Sequence, residues 1–159
     1  CDDLPALEAD VPPPGDPAVR AAIAAWTPKL ERARTLERAG RQQAALDLAD
    51  VVVAEAEVIG DRPTVALALL ERARMSMQTS EAWEERDVLA SRAYLTALGV
   101  RADEIAAEAL TLRMYLRGIS PGQLPRARDD LEVARELIQR LPSPARLRAR
   151  NGPPRRLKP

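Results

Sequence analysis

The chain has 159 residues, enough for one domain with a real core, and its 24 Lys and Arg balance its 24 Asp and Glu. A formal charge of zero supplies no global field to draw in nucleic acid or an acidic membrane, which argues against a dedicated nucleic-acid binder. With no His and one Cys, the chain lacks the usual general base, the Ser-His and Cys-His nucleophile pairs, an internal disulfide and any Cys-rich metal site.

Residues 1–17 read as a Pro-rich linker, because Val11-Pro-Pro-Pro-Gly-Asp-Pro17 cannot continue a helix and favours an extended polyproline path. Cys1 leaves two readings open: the lipidated first residue of a mature lipoprotein, or a position inside a longer chain. Asp16 followed by Pro17 forms a helix start, with a side-chain cap and Pro at the first helical position. The first helix is expected from Pro17 to Ala39, turning Ile23, Trp26, Leu30, Ala33 and Leu36 inward. Pro28 either kinks this helix or, with Thr27 as cap, opens a second one.

Gly40 ends the first segment, and a second helix runs from Arg41 to Ile59, closed by Gly60. Asp61 and Pro63 open a third, reaching about Gln78. Thr79 and Ser80 offer caps for a fourth, from about Glu81 to Leu98, closed by Gly99. A fifth spans residues 102–117 and stops at Gly118-Ile-Ser-Pro-Gly122. The sixth runs from Gln123 or Pro125 to Leu141, ahead of Pro142 and Pro144. A short helical stretch at 144–150 and a disordered tail at 151–159 complete the chain. No apolar run approaches the ~20 residues that cross a bilayer.

An apolar stripe recurs at a period of 41 residues. It comprises Ala45, Ala49, Val52, Ala56 and Ile59; then Arg86, Ala90, Ala93, Ala97 and Val100; then Ala127, Leu131, Ala134, Ile138 and Leu141. Steps of 4, 3, 4 and 3 put each set on one helical face. Arg86 is the one charged member; its aliphatic stem can pack while its head reaches solvent or the nearby Glu84 or Glu85. With 46% hydrophobic and only 3% aromatic residues, such a core is built from Ala, Leu and Val, which suits close helix packing. The expected fold is all-α, six helices paired as three hairpins over residues 18–150. A repeated unit that cannot bury its own face points to a solenoid, and so to binding rather than catalysis.

The segment Ala33-Arg-Thr-Leu-Glu-Arg-Ala-Gly-Arg-Gln-Gln-Ala-Ala-Leu-Asp-Leu-Ala49 resembles a tetratricopeptide repeat, with the small residue, the turn Gly and the Ala-Ala opening in family order. The period exceeds the usual ~34 because the helices are longer. More narrowly, Cys1-Asp-Asp-Leu, Val11-Pro-Pro-Pro14, Ala39-Gly-Arg41, Gly60-Asp-Arg-Pro63 and Asp103-Glu-Ile-Ala-Ala-Glu-Ala109 look similar to the repeat region following the kinase domain in large myxobacterial-type serine/threonine protein kinases. That likeness covers about residues 1–152. It implies a right-handed superhelix, an interior Cys1, and a protein-binding or scaffolding role in signalling, cytoplasmic or membrane-tethered on either side of the membrane. Asn151-Gly152 would then open a further repeat, which Pro153–Pro159 does not resemble. Neither a Gly-rich phosphate loop nor His-Arg-Asp nor Asp-Phe-Gly is present, so any phosphoryl transfer belongs elsewhere in such a protein. The alternative is a free-standing helical-repeat lipoprotein or adaptor anchored through Cys1.

In tetratricopeptide folds the first helices of the hairpins line a concave groove. The resemblance therefore makes Arg34, Arg38, Arg74, Gln78, Arg113, Tyr115 and Arg117 the candidate peptide-groove residues, the guanidiniums gripping carboxylates of a protein or peptide partner. The competing reading is a solvated face in which Glu31, Glu37, Glu71 and Glu108 balance those charges. Trp26, Trp83 and Tyr94 read as packing residues. Glu104 with Glu108, and Glu81, Glu84 and Glu85, have the spacing of carboxylate pairs, but acids in a first turn answer the helix dipole. No nucleophile–base arrangement accompanies them, so the expectation is no catalytic residue, no metal and no cofactor. The cations Arg146, Arg148, Arg150, Arg155, Arg156 and Lys158 read as a solvated tail. The third hairpin lacks a following unit, so marginal stability or self-association is expected.

Overall fold

The computed structural model describes residues 14–79 and 82–141. Most of the expected linker, the cap at Ser80 with Glu81, the short helix at 144–150 and the tail lie outside the described residues. Among these residues the fold is all-α, with six helices and no strand: α1 Pro17–Arg38, α2 Gln42–Ile59, α3 Arg62–Met75, α4 Trp83–Leu98, α5 Asp103–Ile119 and α6 Leu124–Arg140. A 3-10 turn, Ser76–Gln78, extends α3.

The local chemistry explains most boundaries. Asp16 accepts a hydrogen bond from the Ala18 N–H at 2.8 Å and starts α1, and Asp61 accepts from the Thr64 N–H at 3.1 Å and starts α3. Gly60 closes α2 in the left-handed conformation, φ +74°, where a side chain would be strained. Gly99 closes α4 for a different reason. Its backbone is right-handed, but a Cβ there would sit 2.8 Å from the Arg62 guanidinium. The left-handed residue of that turn is Arg101, φ 58°.

Two expectations at helix starts are corrected. Thr27 does not cap a second helix: α1 runs through Pro28 without a break, and the Thr27 hydroxyl donates back to the Ile23 carbonyl at 2.8 Å. Pro28 and Ala24 are both on the exposed side, so the carbonyl that loses its partner faces water. Nor does Thr79 cap α4, which begins at Trp83 behind Ala82 with no side-chain cap; Glu84 and Glu85 in its first turn answer the dipole instead.

Each helix packs against its neighbours in sequence, and in addition α1 touches α3 and α3 touches α5. The first helices of the three pairs thus form one row. Small residues make these crossings close: Ala45 and Ala33 are fully buried together, as are Ala66, Ala93, Ala97 and Ala106 in the largest cluster. Leu69, Leu70, Met75, Leu110 and Leu116 fill the space between them, each contributing ~1.5–3 kcal/mol by burial. Trp26 is buried against Val52 and Ala56, and its indole N–H donates to the Val52 carbonyl at 2.8 Å.

The recurring stripe is buried at Ala45, Ala49, Val52 and Ala56 and at Ala90, Ala93 and Ala97, with Ile59, Arg86 and Val100 half-buried at its ends, and in α6 it is broken in the middle. Leu131 is exposed, while Asp130 and Leu137 are buried beside Ala127 and Ala134. The buried face is rotated because Asp130 is drawn inward by two guanidiniums of α5, described below. Arg86 is half-buried, and its head donates to the Thr79 carbonyl at 2.7 Å rather than reaching Glu84 or Glu85.

Candidate interaction face

The row α1, α3, α5 carries a chain of ion pairs running across the helices. Arg34 on α1 donates to its own-helix Glu31 at 2.5 Å and grips both oxygens of Glu71 on α3, at 3.0 and 2.9 Å. Arg74, one turn beyond Glu71, donates back to that carboxylate at 3.2 Å and forward to Glu108 on α5 at 2.6 Å. Glu71 and Glu108 are buried, so their desolvation is offset by two-point and charge-assisted hydrogen bonds. Burial alone would lower the Arg34 pKa; its bonds to Glu71 and Glu31 outweigh this and raise it.

Glu37 lies on the same side. Burial and then the charge of Glu71 raise its pKa above the ordinary glutamate value, against the opposing pull of Arg74, Arg34 and Arg38. Arg38 folds along its own helix, donating to the Arg34 carbonyl and the Thr35 hydroxyl, each at 3.3 Å. Gln78 accepts from the Gln42 amide of α2 at 2.9 Å. Tyr115 stands about 20° around α5 from Glu108 and is 56% exposed. By spacing it occupies the position held by Arg34 and Arg74 in the preceding units, Arg74 lying 41 residues earlier and Arg34 a further 40.

Arg113 and Arg117 are placed elsewhere. They sit about 140° and 180° around α5 from Glu108 and enter the seam between α4, α5 and α6. Arg113 grips Asp130 of α6 at 3.0 and 2.5 Å, with its guanidinium carbon 4.8 Å from the centre of the Tyr94 ring. Arg117 grips Asp87 of α4 at 2.8 and 2.9 Å and reaches Asp130 at 3.0 Å. The hydrogen bond to Asp87, set against burial and helped by the charges of Asp87 and Asp130, raises the Arg117 pKa.

Of the seven candidates, Arg34, Arg38, Arg74 and Tyr115 therefore share the row of first helices. Gln78 joins it to α2, while Arg113 and Arg117 serve the interior. The two explanations weighed for the arginines merge: the charges are balanced, but through pairs that are partly or wholly buried rather than solvated. Among the described residues no cluster of acidic, histidine or cysteine side chains is arranged to hold a metal ion, and no helix is long and apolar enough to cross a membrane. The chain matches no protein-family model, no curated protein and no solved structure.

Proposed function

We propose that this chain is a protein-interaction module, a tetratricopeptide-like right-handed superhelix of three helix hairpins. Its receiving surface is the row α1, α3, α5. The observation that carries the reading is the exposed Tyr115 at the end of that row, aligned with arginines already held by the next helix's acid. Where Arg34 and Arg74 tie the row together, Tyr115 is left to meet a partner. An exposed aromatic on a rigid helix, flanked by an ion-paired and thus pre-organised surface, suits a hot spot for an extended or helical segment. Because Arg34 and Arg74 are engaged, they stiffen the surface and are not the groups that grip an incoming carboxylate. The sequence resemblance supports a scaffolding place for this module beside a bacterial serine/threonine kinase.

A photo-crosslinking amino acid in place of Tyr115, compared with one in place of the exposed Val88 on α4, tests this. The expected outcome is a discrete protein adduct from position 115 and none from position 88. Tyr115→Ala is expected to weaken that association about tenfold or more with an unchanged circular dichroism melt. Equal adducts from both positions, or full affinity in Tyr115→Ala, would sink the reading.

A further inference from the structure

Arg32, Arg72 and Arg113 follow one another at spacings of 40 and 41 residues, at one place on the first helix of each pair. In α3 and α5 that place meets the second helix of the pair before. Arg72 donates to Asp50 of α2 at 2.6 Å, and the Arg113 guanidinium carbon lies 4.8 Å from the centre of the Tyr94 ring of α4. One and two turns earlier on the same face, Leu69 and Val65 of α3 are buried and half-buried, and Leu110 and Ala106 of α5 are buried. Among the described residues α1 has no helix before it. Its equivalents Ala25, Lys29 and Arg32 are exposed, and Arg32 stands about 160° around the helix from Arg34, off the row of first helices. They form one wall of an apolar trough whose other wall is Leu48, Val51 and Val58 of α2. Its two hollows measure about 410 and 390 Å³, and Val58 is 87% exposed. Lys29 is held by Glu55 across the trough and Asp47 by the Gln43 amide at 2.8 Å, whereas Arg32 and Arg41 have no ion pair among the described residues.

We infer that this trough receives an amphipathic α-helix of a partner protein, seated on α1 as α2 is seated on α3. The two joints inside the molecule define the chemistry of that helix. Opposite Arg32 it carries an acid, as α2 carries Asp50 opposite Arg72. One turn on from the acid it is apolar, as Val53 of α2 packs against the cluster that holds Leu69 of α3 and Ala93 of α4. Seven residues on from the acid the two joints differ. There α2 presents Glu57 to Arg92 of α4 at 2.9 Å, whereas α4 presents Leu98, which lines one hollow with Val133 of α6. Val51, Arg92 and Val133 recur at 41-residue spacing. With Val51 at this place the trough follows the apolar version, so the incoming helix carries a Leu-like residue there in place of a second acid. The trough does not include Tyr115, and the inference stands apart from the proposed function.

The probe is a hydrocarbon-stapled helix with the sequence of residues 42–59 and Glu57→Leu, added to the whole chain. Amide NMR signals are expected to shift within residues 22–36 and 44–58, the walls of the trough, and to do so equally in Tyr115→Ala. Arg32→Glu should weaken binding about tenfold or more with an unchanged circular dichroism melt. A probe that also carries Asp50→Lys should regain affinity for that variant and lose it for the parent chain. No binding, or binding indifferent to this charge exchange, would overturn the proposal. So would shifts centred on α3 and α4, which would mean that the probe displaces the chain's own α2. Self-association of the chain alone that disappears in Arg32→Glu would reject the partner helix in favour of a second copy.

Discussion

Two guanidiniums share the carboxylate of Asp130, and removing it would leave Arg113 and Arg117 with charge to bury and less to balance it. Asp130→Ala is therefore expected to destabilise the fold by about 3–5 kcal/mol, the usual cost of orphaning a buried charge, read from urea denaturation. Without Asp87, Asp130 still serves Arg117, so Asp87→Ala should cost less. Glu37 presents the opposite case. Its pKa is raised by burial and by Glu71, so the fold binds its proton more tightly than the unfolded chain does. The stability this contributes is complete below the unfolded glutamate value and is lost as pH rises through the raised folded value. Glu37→Gln is expected to raise Tm at pH 7 and to bring no gain at pH 4. A variant that melts lower than the parent at pH 7 would contradict the sign.

At the scale of helices, what was legible in the sequence was whatever one helix determines about itself. The inward face of α1 through Trp26, Leu30 and Ala33 follows from its own periodicity, and so do the stripes of α2 and α4. The placement of α6 was only partly legible, because its orientation is set by a pair of arginines on α5. The sign was present: Arg113 and Arg117 are one turn apart, and Asp130 adjoins the apolar position Leu131. Pairing them, however, requires knowing which faces of two helices meet. Glu71 and Glu108 were legible as acids that balance the arginines, but their burial was not, since each lies within its own helix and is satisfied by an arginine reaching across or along the row. The consequence for α6 is measurable. Leu137→Ala should cost about 2–4 kcal/mol, while Leu131→Ala should cost less than about 1 kcal/mol, although periodicity alone would rank Leu131 as the core residue.

Across the whole molecule, α3 is the most enclosed element, packed by α1, α2, α4 and α5, whereas α6 packs chiefly on α5. In an array held by neighbour contacts, opening is easiest where a unit has one neighbour. Amide hydrogen exchange is thus expected to be slowest in α3 and fastest in α6, with the other helices between. Uniform protection would instead mark a single cooperative unit. The same neighbour logic explains why composition alone announced helices built on Ala: no helix has room for many aromatics when each must approach two or more others closely.

The ion-paired row also has an arrow. Arg34 reaches along the row from α1 to Glu71 of α3, and Arg74 from α3 to Glu108 of α5, so both ion pairs that join helices of the row run from a guanidinium toward an acid nearer the C-terminal end. The third position in that series is a phenol, Tyr115, which asks nothing of a carboxylate. A hairpin grafted behind α6 would therefore have to greet the array in a new dialect, offering a flat or cationic group where the earlier joints offered an acid. Two copies of the array turned face to face would find their arrows opposed. Extension is directional, and the grammar that joins the first three units stops at the third.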